Sequence, residues 1–342
     1  MDFLEIDGSF GEGGGQIVRT AITLSCILKK PIIVKNIRKK RKKSGLKPQH
    51  LSALKILEKV CNANLDHAKI GATHLKFVPG EVKNIELKED VGTAGSIALI
   101  IQVLIPVVAI CKKQIKLLIK GGTDVLWSPT IDYSQIILKE MYSRMGISFS
   151  LDVIKRGYYP RGGGIVELQV FPSDEIKTIS LEKRTTKNVM ITCSYSKISL
   201  ELIKIKINAI EKKLSESGYI VKTKMKEEKT FDSGASLLIS SIDNSSIIGF
   251  DSLFNQKQKK FDLDLENFIK SKSSVDENLA DMLVLPASLA NGLTIFQVEK
   301  ISKHLETNLF VASKITGCKY GIGKLKNGFE VRIQGISDSG IK

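Results

Sequence analysis

The chain has 342 residues, of which 42% are hydrophobic and 26% are charged, and its formal net charge is +16. This length predicts roughly two domains, because single cores stop growing near ~250–300 residues, and the apolar content excludes disordered, collagenous and disulfide-scaffold chains. The excess of 52 Lys and Arg over 36 Asp and Glu favours a polyanionic partner, although a solvated lysine-rich surface gives the same balance.

Glycine-rich loops followed by apolar stretches predict a weakly repeated α+β unit. The first unit has a glycine loop at 11–15, a helix at 16–28, a strand at 32–34, a second helix at 49–61 and strands near 75–78 and 85–87. The second has a loop at 92–95, an apolar helix, a strand at 115–119, a helix at 133–145 and strands near 148–153 and 165–170. The third has a helix at 279–289, a strand at 294–298, a helix at 304–314 and strands at Tyr320 and 329–333. The spacing between the first two loops exceeds solenoid periods, so we expect repeated subdomains.

A polar, Lys- and Ser-rich stretch at 184–274 interrupts this pattern. It contains an alternating strand at 189–195, an amphipathic helix at 200–215 and a strand at 236–241. We therefore expect a small α/β domain at 184–274, inserted into a larger domain made of residues 1–183 and 275–342.

Cysteine spacing and hydropathy indicate the cellular compartment in which the protein is expected. Five cysteines are scattered without CxxC spacing or a nearby His, so neither a zinc site nor a disulfide framework is indicated. The acidic N-terminus lacks an apolar signal segment, and we expect a cytoplasmic protein. Residues 94–111 are uncharged but include Gln102 and Pro106, a composition that favours a buried helix over a membrane span.

The glycine loop at 11–15 opens a helix, which is a plausible anion cradle because backbone N–H groups and the helix N-terminus both favour negative charge. Arg19 adds a forked donor close to the same helix end. The alternative is an ordinary tight turn between a strand and a helix.

A dense basic run spans 38–47, with seven Lys or Arg among ten residues. Arg38 and Arg41 are spaced to converge on one terminal phosphate, whereas the lysines supply diffuse charge. No aromatic residue is interleaved, which argues against a base-stacking platform for single strands. Recognition of a phosphate end is the better interpretation, and a solvated loop is the alternative.

His50 and His304 both open the second helix of a predicted unit, so they can face one shared cleft, although a histidine at a helix start is more often structural. His67 and His74 have no metal-ligand spacing, and we expect them to lie outside any site. Asp281 and Glu277 begin the third unit, where they bind either a metal–phosphate or ribose, or simply complement the helix dipole.

Several segments carry a resemblance to a known family. They are Gly11-Glu12-Gly13-Gly14-Gly15-Gln16-Ile17-Val18-Arg19, Gln49-His50-Leu51, Gly121-Gly122-Thr123-Asp124, Gly157-Tyr158-Tyr159-Pro160-Arg161-Gly162-Gly163-Gly164, Leu279-Ala280-Asp281 and the stretch 304–308. In this order they resemble the RNA 3′-terminal phosphate cyclases over essentially the whole chain. The resemblance implies three repeats similar to the C-terminal fold of translation initiation factor three, with a smaller inserted domain.

The resemblance also implies a ligase-like activity that uses ATP and a divalent cation, Mg²⁺ or Mn²⁺, to convert an RNA 3′-phosphate into a 2′,3′-cyclic phosphate. The family nucleophile is a histidine, and His304 matches it; a histidyl–AMP forms first, and an RNA-(3′)pp(5′)A follows. The residues matched to the ATP pocket are Gln102, Pro129, Asn278, Leu279, Ala280, Asp281 and Met282. Those matched to phosphates and the RNA end are Arg19, Arg38, Arg41, Gln49 and His50, and Glu12 is the candidate metal ligand.

The chain departs from the family pattern at one position, which concerns the binding of adenine. Some family members carry an aromatic residue at the position of Asn278, where it stacks on the base, and this chain does not. Trp127 or Pro129 can take over the stacking on adenine. The alternative for Trp127 is that it is an ordinary residue of the hydrophobic core. The expected partner is an RNA 3′-phosphate end, and no membrane association is expected. A homodimer is a possible oligomeric state.

Two other functions are compatible with the fold implied. A catalytically silent relative would serve as an RNA-binding factor in ribosome assembly and would not need His304. An enolpyruvyl-type transferase is built from similar repeats, but it would have little use for the basic run.

Overall fold

The computed structural model describes residues 2–336 as a mixed α/β protein. Its helices are α1 (Gln16–Leu28), α2 (Pro48–Cys61), α3 (Ile97–Ile110), α4 (Ile131–Tyr133), α5 (Lys139–Arg144), α6 (Leu200–Glu216), α7 (Leu265–Lys270), α8 (Glu277–Leu289) and α9 (Lys303–Thr316). A π-helical segment, Ser134–Leu138, joins α4 to α5.

The strands over the same residues form four sheets. Their bounds are β1 (Leu4–Asp7), β2 (Ile32–Lys35), β3 (Asn64–Asp66), β4 (Leu75–Val78), β5 (Ile85–Asp90), β6 (Ile115–Gly121), β7 (Phe149–Lys155), β8 (Gly164–Val170), β9 (Asn188–Ser196), β10 (Ile220–Glu227), β11 (Gly234–Asp243), β12 (Ser246–Asn255), β13 (Lys260–Phe261), β14 (Leu293–Val298), β15 (Lys319–Lys324) and β16 (Phe329–Gln334). The strand orders are β1-β2-β4-β3, β5-β6-β8-β7, β10-β9-β11-β12-β13 and β14-β16-β15. The pairs β1/β2, β5/β6 and β9/β10 are parallel and the other strand pairs within these sheets are antiparallel, so the predicted α+β class is confirmed.

The long apolar helices agree best with the sequence-based expectations. Helix α1 has the two predicted ends, and it stops where Lys29 takes a left-handed backbone, with φ of 52°. Helix α3 buries every residue except Gln102, which confirms the predicted buried helix. None of the helices described over residues 2–336 combines the length and hydropathy that a membrane span requires.

One predicted strand belongs to a different sheet than expected, and several strands were not predicted. The strand near 85–87 was expected to close the first unit, but it is part of β5, which pairs in parallel with β6 in the next sheet. Strands β1 and β3 were not predicted, since β1 has only two apolar residues and β3 only one. Strands β10, β12 and β13 were not predicted either, and the alternating lysines of β10 give an exposed strand with little apolar character.

Packing divides the buried residues into two clusters. The larger cluster joins the helices α1, α3, α8 and α9 to the sheets containing β1, β5 and β14. The smaller cluster lies between helix α6 and the five-stranded sheet. Within the larger cluster, α1 packs against both α3 and α9, and α9 packs against α8. This packing brings residues from the beginnings of α1, α8 and α9 together.

Candidate active site

A group of polar side chains lies where the first turns of α1, α8 and α9 meet. Gln16, the first residue of α1, donates a hydrogen bond from Nε2 to Asp281 Oδ2, and its Oε1 contacts His304 Nδ1. Asn308, one turn beyond His304, donates to Asp281 Oδ1 at 2.8 Å and accepts a hydrogen bond from Thr20 Oγ1 at 2.7 Å. Because helix N-termini carry partial positive charge, this junction favours a bound anion.

The hydrogen bonds of Gln16 determine the tautomer of His304. Since Nε2 of Gln16 donates to a carboxylate, its Oε1 is the atom that faces the imidazole. A carbonyl oxygen can only accept, so His304 Nδ1 carries the proton and Nε2 keeps a free lone pair. Burial, together with the charges of Arg19 and Arg41, lowers the pKa of His304 below its ordinary 6.5. The imidazole is therefore neutral at neutral pH, and its side chain is 49% exposed. Nε2 can act as a nucleophile.

Glu12 also lies beside His304. Its Oε2 is 2.5 Å from Nδ1, but the hydrogen bond of Nδ1 goes to Gln16, so Oε2 is a buried oxygen without a donor among residues 2–336. The other oxygen pairs with Arg41. No cluster of three or more His, Cys, Asp or Glu within the described residues could hold a metal on its own. A single carboxylate with a spare oxygen does fit Mg²⁺, which commonly takes one or two carboxylates and completes its shell with phosphate oxygens and water.

Asp281 and Arg19 are two ionisable side chains of this site that interact electrostatically with each other. Burial raises the pKa of Asp281 to about 7, opposed by the hydrogen bond from Gln16 and the charge of Arg19. Burial lowers the pKa of Arg19 to about 10, which leaves the guanidinium charged at neutral pH. The site therefore keeps one cation whose charge does not depend on the ionisation of Asp281.

One cavity, which we call the helix cavity, opens from this junction between α1, α3, α8 and α9. Of the seven residues matched to ATP, five line it: Gln102, Pro129, Asn278, Asp281 and Met282. Among residues 2–336, the hydrogen-bond partner of Gln102 Nε2 is the weak acceptor Met282 Sδ, at 3.7 Å, so its amide is available to a ligand. Leu279 and Ala280 do not line the cavity, because their side chains are buried in the core beneath α8.

A second cavity, the basic cavity, lies on the other side of His304. The residues that the sequence analysis assigned to phosphate and the RNA end line it together: Arg19, Arg38, Arg41, Gln49 and His50, with Glu12. His304 lines both cavities, so His50 and His304 do face one cleft. His67 and His74 are exposed and lie against each other, outside both cavities, with ring centroids 5.0 Å apart.

His50 is part of the wall of the basic cavity. The backbone N–H of Lys47 donates to its Nδ1 at 3.1 Å. A Cβ at Gly15 would come within 2.0 Å of its Nε2, so the glycine loop has to pass this ring without a side chain. Burial, with the charges of Arg19 and Arg38, lowers the pKa of His50 to about 3. His50 is neutral and presents Nε2–H rather than a charge.

Comparison with known proteins shows similarity along most of the chain. A family model described as RNA 3′-terminal phosphate cyclase matches residues 10–322. A protein of that name from Methanosarcina barkeri is 37% identical over 333 residues, which cover 96% of this chain and 99% of the relative. Relatives of the same name from Saccharolobus islandicus and Pyrobaculum neutrophilum are 36% and 31% identical, each over 99% of its own length and 96% and 97% of this chain.

The chain belongs to the RNA 3′-terminal phosphate cyclase family. Membership confirms the family expected from the sequence motifs, and it confirms the prediction that the chain is an enzyme of the ligase-type cyclase class.

Three polar residues at the junction of α1, α8 and α9 were not among the predicted site residues: Gln16, Thr20 and Asn308. The signal that could have identified them is spacing. Gln16 and Thr20 are four residues apart on α1, and His304 and Asn308 are four apart on α9, so each pair shares one helix face. Gln16, Thr20 and Asn308 are buried polar side chains, and buried polar groups require partners.

Proposed function

We propose that this cyclase-family enzyme uses ATP to convert an RNA 3′-phosphate into a 2′,3′-cyclic phosphodiester, releasing AMP and pyrophosphate. The observation that carries the proposal is the place of His304, a neutral imidazole lining both the helix cavity and the basic cavity. A nucleophile that must react first with ATP and then with RNA needs access from two sides, and this position provides it.

The helix cavity would take ATP. Gln102 and Asn278 offer amides to the base or ribose, Asp281 offers a carboxylate, and Pro129 and Met282 offer apolar contact. Nε2 of His304 attacks the α-phosphorus, so a P–N bond forms, the bond to the β-phosphate oxygen breaks, and pyrophosphate leaves. Gln16 holds the Nδ1 proton during this step, which keeps the lone pair on Nε2. Arg19 neutralises charge that develops on the α-phosphate.

The basic cavity would take the RNA end, bound by the guanidiniums of Arg38 and Arg41, with Gln49 and His50 as hydrogen-bonding neighbours. An oxygen of the RNA 3′-phosphate attacks the adenylyl phosphorus, the P–N bond breaks, and an RNA-(3′)pp(5′)A is formed. The adjacent 2′-OH then attacks the 3′-phosphorus and loses its proton, and AMP leaves. Both groups of the last step are on one ribose, so proximity contributes much of the acceleration.

A divalent cation, Mg²⁺ or Mn²⁺, would be held by the spare oxygen of Glu12 together with the triphosphate. When bound it neutralises negative charge on the phosphates. Arg41 pairs with Glu12, so this arginine links the cation position to the RNA side of the site.

The proposed architecture is a large domain of residues 1–183 and 275–342 with three repeats, and an inserted domain of residues 184–274. Corresponding strand orders in three sheets support it: β1-β2-β4-β3, β5-β6-β8-β7 and β14-β16-β15. The third sheet lacks an opening strand, but Ser180 forms a parallel bridge to Ile295 on β14, in the place that β1 takes beside β2. The separate apolar cluster under α6 supports the inserted domain. Similarity of each repeat to the C-terminal fold of translation initiation factor three, a cytoplasmic location and a homodimer stay predictions.

The proposal is tested by incubating the protein with ATP, Mg²⁺ and a single-stranded oligoribonucleotide that ends in a 3′-phosphate. We expect a phosphatase-resistant cyclic end and one AMP per end, and no product from the same oligonucleotide with a 3′-OH. Binding without turnover would instead support the silent RNA-binding factor. Neither binding nor turnover, with activity on an enolpyruvyl acceptor, would support the transferase.

A further inference from the structure

Trp127 has an unusual place for a large apolar side chain. It is the only tryptophan of the chain, it is 94% exposed, and it lines both the basic cavity and the mouth of the helix cavity. Its backbone has φ of +62°, a region that bulky residues rarely adopt. The core role considered for this residue is therefore excluded, and a ring held in water beside a phosphate-binding cavity requires another explanation.

A second exposed aromatic side chain lines the same basic cavity. Tyr159 is 72% exposed, and its neighbours hold the loop on both sides. Tyr158 is buried and donates a hydrogen bond from its hydroxyl to the Ser194 carbonyl oxygen at 3.1 Å. The backbone N–H and Nε of Arg161 each donate to the Asp232 carboxylate at 2.9 Å. Ser194 and Asp232 belong to the 184–274 region, which thus fixes the loop that carries Tyr159.

The surroundings of these rings indicate the ligand. Arg38, Arg41 and Lys47 line the basic cavity, which favours an anion there, and Trp127 and Tyr159 line the same cavity. A nucleobase attached to a bound 3′-phosphate would therefore face the two rings. Exposed aromatic side chains stack on unpaired bases irrespective of base identity, since every base has a π-face. The basic run itself contains no aromatic residue, and the fold supplies the two rings from distant segments.

We infer that Trp127 stacks on the base of the 3′-terminal nucleoside of a single-stranded RNA, with Tyr159 as the second aromatic wall, an inference that rests on the proposed function. Adenine of ATP is the competing ligand. It is disfavoured because the second exposed aromatic ring, Tyr159, lines the basic cavity and is not among the described residues that line the helix cavity.

The single tryptophan makes its emission a direct reporter. The wild-type protein is titrated with ATP alone, with a 3′-phosphorylated hexaribonucleotide, and with the same oligonucleotide whose terminal nucleoside is abasic. We expect the intact oligonucleotide to quench the fluorescence, the abasic one to quench little and bind about tenfold more weakly, and ATP alone to leave the emission unchanged. Quenching by ATP but not by RNA, or equal binding of both oligonucleotides, would overturn the inference.

Variants give an independent measurement. Trp127→Leu should raise the KM for the intact oligonucleotide about tenfold and leave the KM for the abasic one unchanged, whereas Trp127→Phe should restore most of the difference. Tyr320→Ala removes an exposed aromatic ring on β15, outside both cavities, and should behave as the wild type. If Trp127→Leu cyclises both oligonucleotides as well as the wild type does, this inference fails and the proposed function stands. If the intact oligonucleotide quenches the emission and no variant or wild-type protein cyclises it, the proposed function fails and the stacking inference stands.

Discussion

The helix cavity and the basic cavity share the wall around His304 and differ in nearly everything else. The helix cavity has a volume of about 150 Å³, is walled mostly by amides and apolar side chains, and contains one side chain with a fixed positive charge, Arg19. The basic cavity has a volume of about 690 Å³ and adds Arg38, Arg41 and Lys47. Apolar and amide groups suit a base and ribose, and cations suit phosphate. The contrast suggests that the enzyme separates recognition of the nucleoside from recognition of the phosphate end.

The largest expected effect on activity comes from removing His304, which lines both cavities. His304→Ala should abolish both adenylylation and cyclisation, a loss of at least about 10³-fold, because within residues 2–336 it is the one nucleophilic side chain that lines both cavities. Rates of adduct formation with α-labelled ATP measure it. The matched control is His74→Ala, an exposed histidine outside both cavities, which should keep the wild-type rate. Adduct formation that survives in His304→Ala would mean that the cavities share a different reactive group.

The next effect concerns the tautomer. The double variant Gln16→Leu and Glu12→Leu removes both oxygens that lie beside His304 Nδ1, so adduct formation should fall on the order of 100-fold. Thr20→Val, one hydrogen bond further from the imidazole, should cost much less. ¹⁵N NMR of the histidine ring supplies the readout that a structural defect would not move: the wild type should show the Nδ1–H form, and the double variant that lacks both acceptors should show a mixture. An unchanged tautomer in the variant contradicts the assignment.

The double variant Arg38→Ala and Arg41→Ala tests whether the two cavities are separate. It removes two charge-assisted contacts to the RNA phosphate, so the KM for a 3′-phosphorylated oligonucleotide should rise about 10- to 100-fold, with a smaller effect on adduct formation. Lys42→Ala with Lys43→Ala removes the same charge from exposed positions in the same loop and serves as the control. Equal losses in both half-reactions would show that the arginines serve ATP or folding.

The smallest effect is on pH dependence. The lowered pKa of His304 keeps the imidazole neutral into the acid range, so the acid limb of adduct formation should lie below pH 6.5. Arg41→Gln removes a cation that lowers this pKa and frees the charge of Glu12, and both changes favour the imidazolium. The limb should therefore move to higher pH. Because Asp281 has a pKa of about 7 and can add its own limb to the rate profile, the titration of His304 itself is followed by ¹⁵N NMR. A midpoint above pH 6.5 in the wild type, or one that moves down in the variant, would contradict the electrostatic account.

The two cavities also differ in how far the sequence predicts them. Arg38 and Arg41 of the basic cavity belong to one short run, so local spacing predicts that they contact one phosphate. The assignment of Gln49 and His50 to the RNA end comes from the family resemblance. The hydrogen bonds between Gln16, Asp281 and His304 join residues 265 and 288 positions apart, and only packing of three helices brings them together. Local patterns do not contain that information.

The same distinction holds for the fold. Helix α1 was predicted to both ends because its apolar stretch lies between a glycine loop and two lysines, all within one segment. The strand near 85–87 was assigned to the wrong sheet because its partner, β6, begins at Ile115 and nothing in the strand itself specifies that pairing. Exposure of Trp127 likewise depends on tertiary structure.

The most direct test is to locate the adenylyl group on the wild-type protein. The protein is incubated with α-labelled ATP and Mg²⁺ without RNA, digested, and the labelled peptide is sequenced and its phosphoramidate examined by NMR. We expect one acid-labile, alkali-stable adduct on Nε2 of His304, released as RNA-(3′)pp(5′)A when 3′-phosphorylated RNA is added. Label on another residue, on Nδ1, or from the γ-phosphate instead of the α-phosphate would contradict a nucleophile shared by the two cavities.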